Sequence, residues 1–533
     1  MLISCKEHPQ ADALVFNAKI YTVDSAFHIV EAMALKDGLV LDTGSSDYIR
    51  RLYRSEVNYD LEGKTIFPAF NDAHAHFVGY AESLNTVNLF GTKSFDEVIE
   101  RVNDFAMRNE VPFLFGRGWD QNDWENKNFP IKARLDELFP NTPVMLARVD
   151  GHAALVNQAA LDYAGVQAST KVKGGRLIKE KGRLTGVLVD NAMTLVQFPE
   201  MSREKRLGLL IQAQDSLLKY GVTSLTDAGL GIADIHLLDS MATNGMLKIR
   251  VNAMVEDDPV AIAHFLNHGK IEKEHLRVQC VKTYVDGALG SRGAVLLKPY
   301  TDDKGNYGML LSDPAHFEEL AVKLDSAGWQ LAAHTIGDSA NRMMINMYRK
   351  VLKGKTNHRW RLEHAQMVHP ADQYLMSNAH IIPSVQPTHA TSDMYWASDR
   401  VGEDRIRYSY AYQSLLRYSG VLPLGTDFPV ESINPFYTFR AAKYRQDEAG
   451  FPAGGFISAE RLTTEQTLRG MTHWAAYAEF TDNIKGQLVP GKLADFIVLD
   501  KDITKVPVNE ISSARVLYTI INGTLEYEYL KPE

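Results

Sequence analysis

The stretch WQLAAHTIGDSANRMMINMYRKVLK, residues 329–353, decides the fold. An apolar strand runs into a short polar loop and then into a helical pattern. The same unit recurs along the middle of the chain. Candidate strands are TIFPAFNDAHAHF, GVTSLTDAG, KIRVNAMV, LRVQCVKTYVDG, WQLAAHTIGD, RLEHAQM, HIIPSVQP and VLPLGTDFPV, with helices such as REKRLGLLIQAQDSLLKY and AHFEELAVKLDSA between several of them. Strands alternating with helices in this way predict an α/β chain built on a (β/α)8 barrel, with an open parallel sheet as the other arrangement.

Outside this middle the pattern changes. Residues 12–66 and the last 50 residues read as short strands separated by turn formers such as Pro-Gly and Asn-Gly. Two β segments at opposite ends of a chain can close into one small sandwich. The expected division is therefore residues 1–67 and 481–533 for the composite β-sandwich and 68–480 for the barrel. The stretch from about 78 to 205 is too long for one crossover. It reads as an insertion after the first strand, with its own strands VPFLFGRGWD and TPVMLARVDG.

The bulk numbers narrow the function. The chain has 533 residues, 45% hydrophobic and 23% charged, as in an ordinary globular enzyme. A net charge of -9 gives no basic footprint for nucleic acid, so a small molecule is the expected partner. No apolar run approaches the roughly 20 residues that span a bilayer. Two cysteines, Cys5 and Cys280, exclude a disulfide framework. The opening LISC resembles the end of a lipoprotein signal, with Cys5 as the lipidated residue, but a charged leader is missing. The expectation is a cell-envelope lipoprotein if a signal was trimmed and a cytoplasmic protein if the chain is complete. A homo-oligomer is compatible with either.

In a parallel barrel, chemistry sits at the C-terminal ends of the strands. His74 and His76 end the first; being two apart on a strand, they share a face. Lys282 lies in VQCVKTYVDG, His334 ends LAAH, His364 ends RLEH and Asp427 ends LGTD. So many ionisable residues in one register point to a metal centre. The plain alternatives are strand-end polar residues, core histidines, a turn aspartate, and a Lys282 paired with Asp286 or Asp227.

A neutral lysine in a dry site can take up carbon dioxide and become a carbamate that bridges two divalent ions. His74 and His76 would then hold one ion, and His334 and His364 the other. One or two ions are expected, with zinc suited to imidazole and carboxylate ligands and nickel, manganese and iron also admitted. A bound ion can bring the pKa of water to about 7. Asp427, also a ligand in this reading, would take a proton from that water and pass it to the leaving group.

These motifs resemble the amidohydrolase superfamily, and within it the amidohydrolase-3 or YtcJ-like branch that includes N-substituted formamide deformylase. NDAHAHF is similar to its HxH, VKTYVDGALGSRGA to its lysine-bearing strand, and HTIGDSANRM, RLEHAQ, SVQPTHAT and LGTDFPV to its later strands. GQLVPGKLADFIVLD is similar to its return strand. The resemblance implies the barrel, the sandwich, a divalent metal and hydrolysis of an amide-like C–N bond, of an N-acyl or N-formyl amine for instance. Cyclic amides or esters on the same site, or a non-catalytic ligand-binding surface lipoprotein, are the rival readings.

Candidate substrate contacts are Trp119 in GRGWDQNDW and His152 in RVDGHAALVN, the latter also as a catalytic group polarising a carbonyl oxygen. Arg292 would anchor a substrate carboxylate, and Gln386, Asp190, Asn191 and His389 are fainter candidates. His358, His369, His380 and His473 are read as surface or structural.

Overall fold

The computed structural model describes residues 8–530 apart from 110, 149–152, 173–174, 198–200 and 291, and without the side chains of 122, 175, 190 and 191. Residues 1–78 and 211–533 form one compact unit, and residues 79–210 a second.

The larger unit contains the barrel. Its strands are β1 (Phe70–Ala75), β2 (Val222–Leu230), β3 (Arg250–Glu256), β4 (Leu276–Tyr284), β5 (Gln330–Thr335), β6 (Arg361–His364) and β7 (Ile382–Ser384). They hydrogen-bond in chain order, and every neighbouring pair is parallel. Parallel neighbours require crossovers, supplied by helices such as Ile232–Thr243, Pro259–His268, Pro314–Ala327, Asp338–Leu352 and Pro370–Asn378.

The eighth stave departs from the expected strand. VLPLGTDFPV forms no regular ladder, because Pro423 and Pro429 lack the N–H a strand needs. Residues 422–428 still close the circle through backbone bonds. Gly425 N–H donates to the Val385 carbonyl, Ala73 N–H to Leu424, Asp427 N–H to His74, and His76 N–H to Phe428. Gly425 is required by close approach: a Cβ there would lie 2.5 Å from the His74 nitrogen and 2.8 Å from its oxygen. Since the obstruction is backbone, Gly425→Ala is expected to destabilise the unit by about 1–3 kcal/mol. Urea unfolding checks this, and wild-type stability would mean the stave shifts freely.

Side-chain alternation explains what fills the barrel. Cys280 and Lys282 share one face of β4, and Ala332 and His334 one face of β5. Ala228, Met254, Cys280 and Ala332 form a small apolar cluster. Lys282 and His334 project one layer nearer the strands' C-terminal ends.

Both termini build a sandwich of two sheets. One contains Ala13–Phe16, Ala32–Lys36, Leu39–Gly44 and Val57–Asp60. The other interleaves Lys19–Tyr21, Ile29–Val30 and Thr65–Pro68 with Phe496–Leu499, Val516–Ile521 and Thr524–Glu528. Val15, Met33, Leu35, Ile66, Phe496 and Val498 pack between them. The stretch TIFPAF thus serves two domains: Thr65–Pro68 pairs in the sandwich, and the barrel starts at Phe70.

The smaller unit has its own sheet, ordered Gly175–Glu180, Arg183–Asp190, Ala153–Val156, Val144–Arg148, Leu114–Trp119, Val87–Asn88. Its core includes Val98, Leu114, Trp119, Trp124, Leu146 and Leu155.

Candidate metal centre

His74 closes β1, fully buried, with His76 two residues on and their rings 5.6 Å apart. The His364 ring lies 4.9 Å from His74 and 4.5 Å from His334. Asp427 comes from the closing stave. Its Oδ1 is 3.2 Å from His76 Nε2 and 3.6 Å from His74 Nε2, and its Oδ2 is 3.5 Å from His389 Nε2. One donor atom from each of His74, His364 and Asp427 falls within 4.8 Å of the other two.

Two of these residues bend the chain to get there. His364 has φ 70° and Asp427 φ 64°, in the left-handed region. Such backbone costs about 1–3 kcal/mol per residue and clusters at functional sites. At His364 it breaks the strand's alternation, so that Glu363 and His364, adjacent in sequence, both reach the His74 imidazole.

The surroundings fix the charges. Burial, reinforced by the Lys282 ammonium, pushes His74 down to about 4 and His334 to about 3, and burial with the neighbouring rings holds His364 well below the ordinary range. All three rings are therefore neutral at pH 7, with lone pairs to offer. Burial brings Lys282 down to about 8. Burial alone would raise Asp427, but its imidazole neighbours, His76 first, outweigh it and keep the carboxylate ionised.

Lys282 is fully buried, and its Nζ has no hydrogen-bond partner among the described residues. It lies 4.2 Å from the centre of the Tyr284 ring. Lys282 Nζ makes no hydrogen bond to either candidate carboxylate. Asp227 accepts the Val78 N–H, and Asp286 accepts those of Val295, Ile336 and Gly337.

The unsatisfied atoms test whether these residues suit a cation. His74 Nε2, His334 Nε2, His389 Nε2, Lys282 Nζ and Asp427 Oδ1 are all buried without a hydrogen-bond partner among the described residues. Buried polar groups are nearly always satisfied. Imidazole nitrogens and a carboxylate oxygen left open together form a donor set that a divalent ion would complete.

Other residues expected at the site take different places. Gln386 Oε1 bonds His364 Nδ1 at 2.7 Å, so this side chain backs a histidine. Arg292 is paired with Asp302, Nε at 3.1 Å and Nη2 at 2.8 Å. Trp119 is 1% exposed in the core of the smaller unit, and its indole N–H donates to the Leu146 carbonyl at 2.7 Å. Within that unit it is a packing residue. His152 and Cys5 lie outside the described residues, as do the side chains of Asp190 and Asn191. His369 caps the helix Pro370–Asn378, and His358 accepts the Trp360 N–H, both structural roles.

Sequence reasoning missed Arg361 and Glu363. Their signal was present: two opposite charges, two residues apart, inside a short barrel strand share one face. Arg361 donates to Glu363 at 2.5 and 3.0 Å. Burial would raise Glu363, but Arg361 and His74 hold it at about 2.

Comparison with known proteins agrees with this architecture. The chain is 34% identical to the protein LONG AFTER FAR-RED 3 of Arabidopsis thaliana over 97% of its own length and 92% of that protein's. It is 28% identical to the putative amidohydrolase YtcJ of Bacillus subtilis, covering 96% of this chain and 98% of that one. The solved structure of an uncharacterized metal-dependent hydrolase from Pyrococcus horikoshii superposes with TM-score 0.80 at 27% identity, over 93% of this chain and 99% of that chain. The sequence profile of the amidohydrolase family matches residues 58–527. The chain belongs to the amidohydrolase family.

Proposed function

We propose that this protein is a metal-dependent hydrolase of amide-like C–N bonds, with an N-acyl or N-formyl amine as substrate. The observation that carries the reading is the convergence of buried, unpartnered donor atoms from His74, His334, Lys282 and Asp427 at one end of the barrel. Membership of the amidohydrolase family supports the reaction class. The motif resemblance to the branch that includes N-substituted formamide deformylase supports the substrate class.

His74, His76, His334, His364 and Asp427 would hold one or two divalent ions, zinc by ligand type, and an N-carboxylated Lys282 would supply a further carboxylate. When bound, the ion supplies Lewis acidity, acidifying water and polarising a carbonyl. The protein's own part is to keep the imidazoles neutral, through burial, and Asp427 ionised. Asp427 accepts the proton of the attacking water and delivers it to the departing amine nitrogen. His389 Nε2 lies 3.5 Å from Asp427 Oδ2.

Chelator treatment should abolish hydrolysis of N-formyl and N-acyl amines, and a divalent ion should restore it. Turnover that survives complete metal removal would end the metal reading. Bound metal with no turnover on a broad amide panel would favour a binding protein. For Lys282, growth on isotopically labelled bicarbonate should yield a carbamate carbon signal that disappears in Lys282→Met. A bare amine in the metal-loaded protein would leave a site without the bridging group.

A further inference from the structure

His74 lies on β1 and Glu363 on β6, yet His74 Nδ1 and Glu363 Oε2 are 2.5 Å apart and both side chains are wholly buried. Glu363 is itself clamped. Arg361 Nε donates to Oε1 at 2.5 Å and Nη2 to Oε2 at 3.0 Å. The same Nη2 reaches the Ala73 carbonyl at 2.6 Å and the Ser384 hydroxyl at 2.9 Å, so one guanidinium ties β1, β6 and β7 around the carboxylate. An ionised carboxylate only accepts. The proton between the two groups therefore belongs to Nδ1, and the lone pair to Nε2, which has no hydrogen-bond partner among the described residues. His364 is backed differently, by the neutral amide oxygen of Gln386 at 2.7 Å.

We propose that Arg361 and Glu363 are a positioning pair that sets the tautomer and donor strength of His74, making it the imidazole that holds the divalent ion most tightly. The inference rests on the metal reading above. A carboxylate behind an imidazole N–H fixes the ring, selects the tautomer and raises the basicity of the far nitrogen; losing such a partner typically weakens metal binding about 10–100-fold. An amide oxygen without a full charge does this less, so the two backed histidines are unequal by construction. Arg361 keeps the carboxylate from turning away, because its planar fork engages both oxygens.

The test is zinc affinity of the whole chain, measured by competition with a chromophoric chelator, for wild type, Glu363→Gln and Gln386→Leu. Glu363→Gln keeps the shape and removes the charge; it should weaken zinc about 10–100-fold, and Gln386→Leu should weaken it less. Equal affinity of wild type and Glu363→Gln overturns the inference and leaves the metal reading intact. A wild-type protein that takes up no divalent ion overturns both. Imidazole nitrogen NMR of the metal-free wild type gives a second readout that needs no folded Glu363 variant. With His74→Gln to assign the signal, the proton should sit on His74 Nδ1; a proton on Nε2 overturns the proposal.

Discussion

Asp427→Asn is expected to slow hydrolysis by about 10²–10⁴-fold, the usual worth of a positioned proton-transfer group, while the fold persists. The substitution is conservative where it must be. Position 427 has φ 64°, a region that asparagine tolerates better than most residues. The amide retains an oxygen for a cation and for His76, 3.2 Å away. What it loses is the ability to accept and return a proton. The native carboxylate is held below the ordinary range, with His76 first among the neighbours that offset burial, so at neutral pH it is ionised. Steady-state rates on an N-formyl amine, with metal content measured alongside, check the expectation. Unchanged turnover at equal metal content would remove Asp427 from the proton path, and lost turnover with lost metal would make it a ligand first.

Arg361→Leu should have the largest effect on stability, about 3–5 kcal/mol, the range for breaking a buried ion pair. The cost comes from what is left behind. Glu363 would stay wholly buried with His74 as its remaining side-chain partner, and the Ala73 carbonyl and Ser384 hydroxyl would each lose a donor. Replacing both charges, Arg361→Leu with Glu363→Leu, should cost less than the sum of the single changes, because neither charge is then stranded. Urea unfolding of the three variants measures this coupling; additive losses would mean that the pair acts as two independent residues.

Much of the architecture was legible because the barrel repeats itself: an apolar strand, a polar end, a helix. The polar ends led directly to His74, His334, His364 and Asp427, which the structure brings together. What could not be read is which neighbour claims a polar group. Arg292 appeared available, but Asp302, ten residues on, accepts from its Nε and Nη2. Gln386 is held by His364, and the indole N–H of Trp119 by the Leu146 carbonyl. In each case residue type showed the capacity to bond, and only the tertiary fold showed the partner. The eighth stave was misjudged for a local reason: its prolines deny it a ladder, although its backbone still closes the ring.

The left-handed turn of the chain at His364 has an outcome of its own. A regular strand can aim only every second residue inward, so each stave has few inward positions near its rim. Reversing the backbone at one residue lets the sixth stave point two consecutive side chains at one target, a donor and the brace for a donor on another stave. Residues 363 and 364 are thereby coupled through geometry, and neither can drift in evolution or be redesigned without regard to the other.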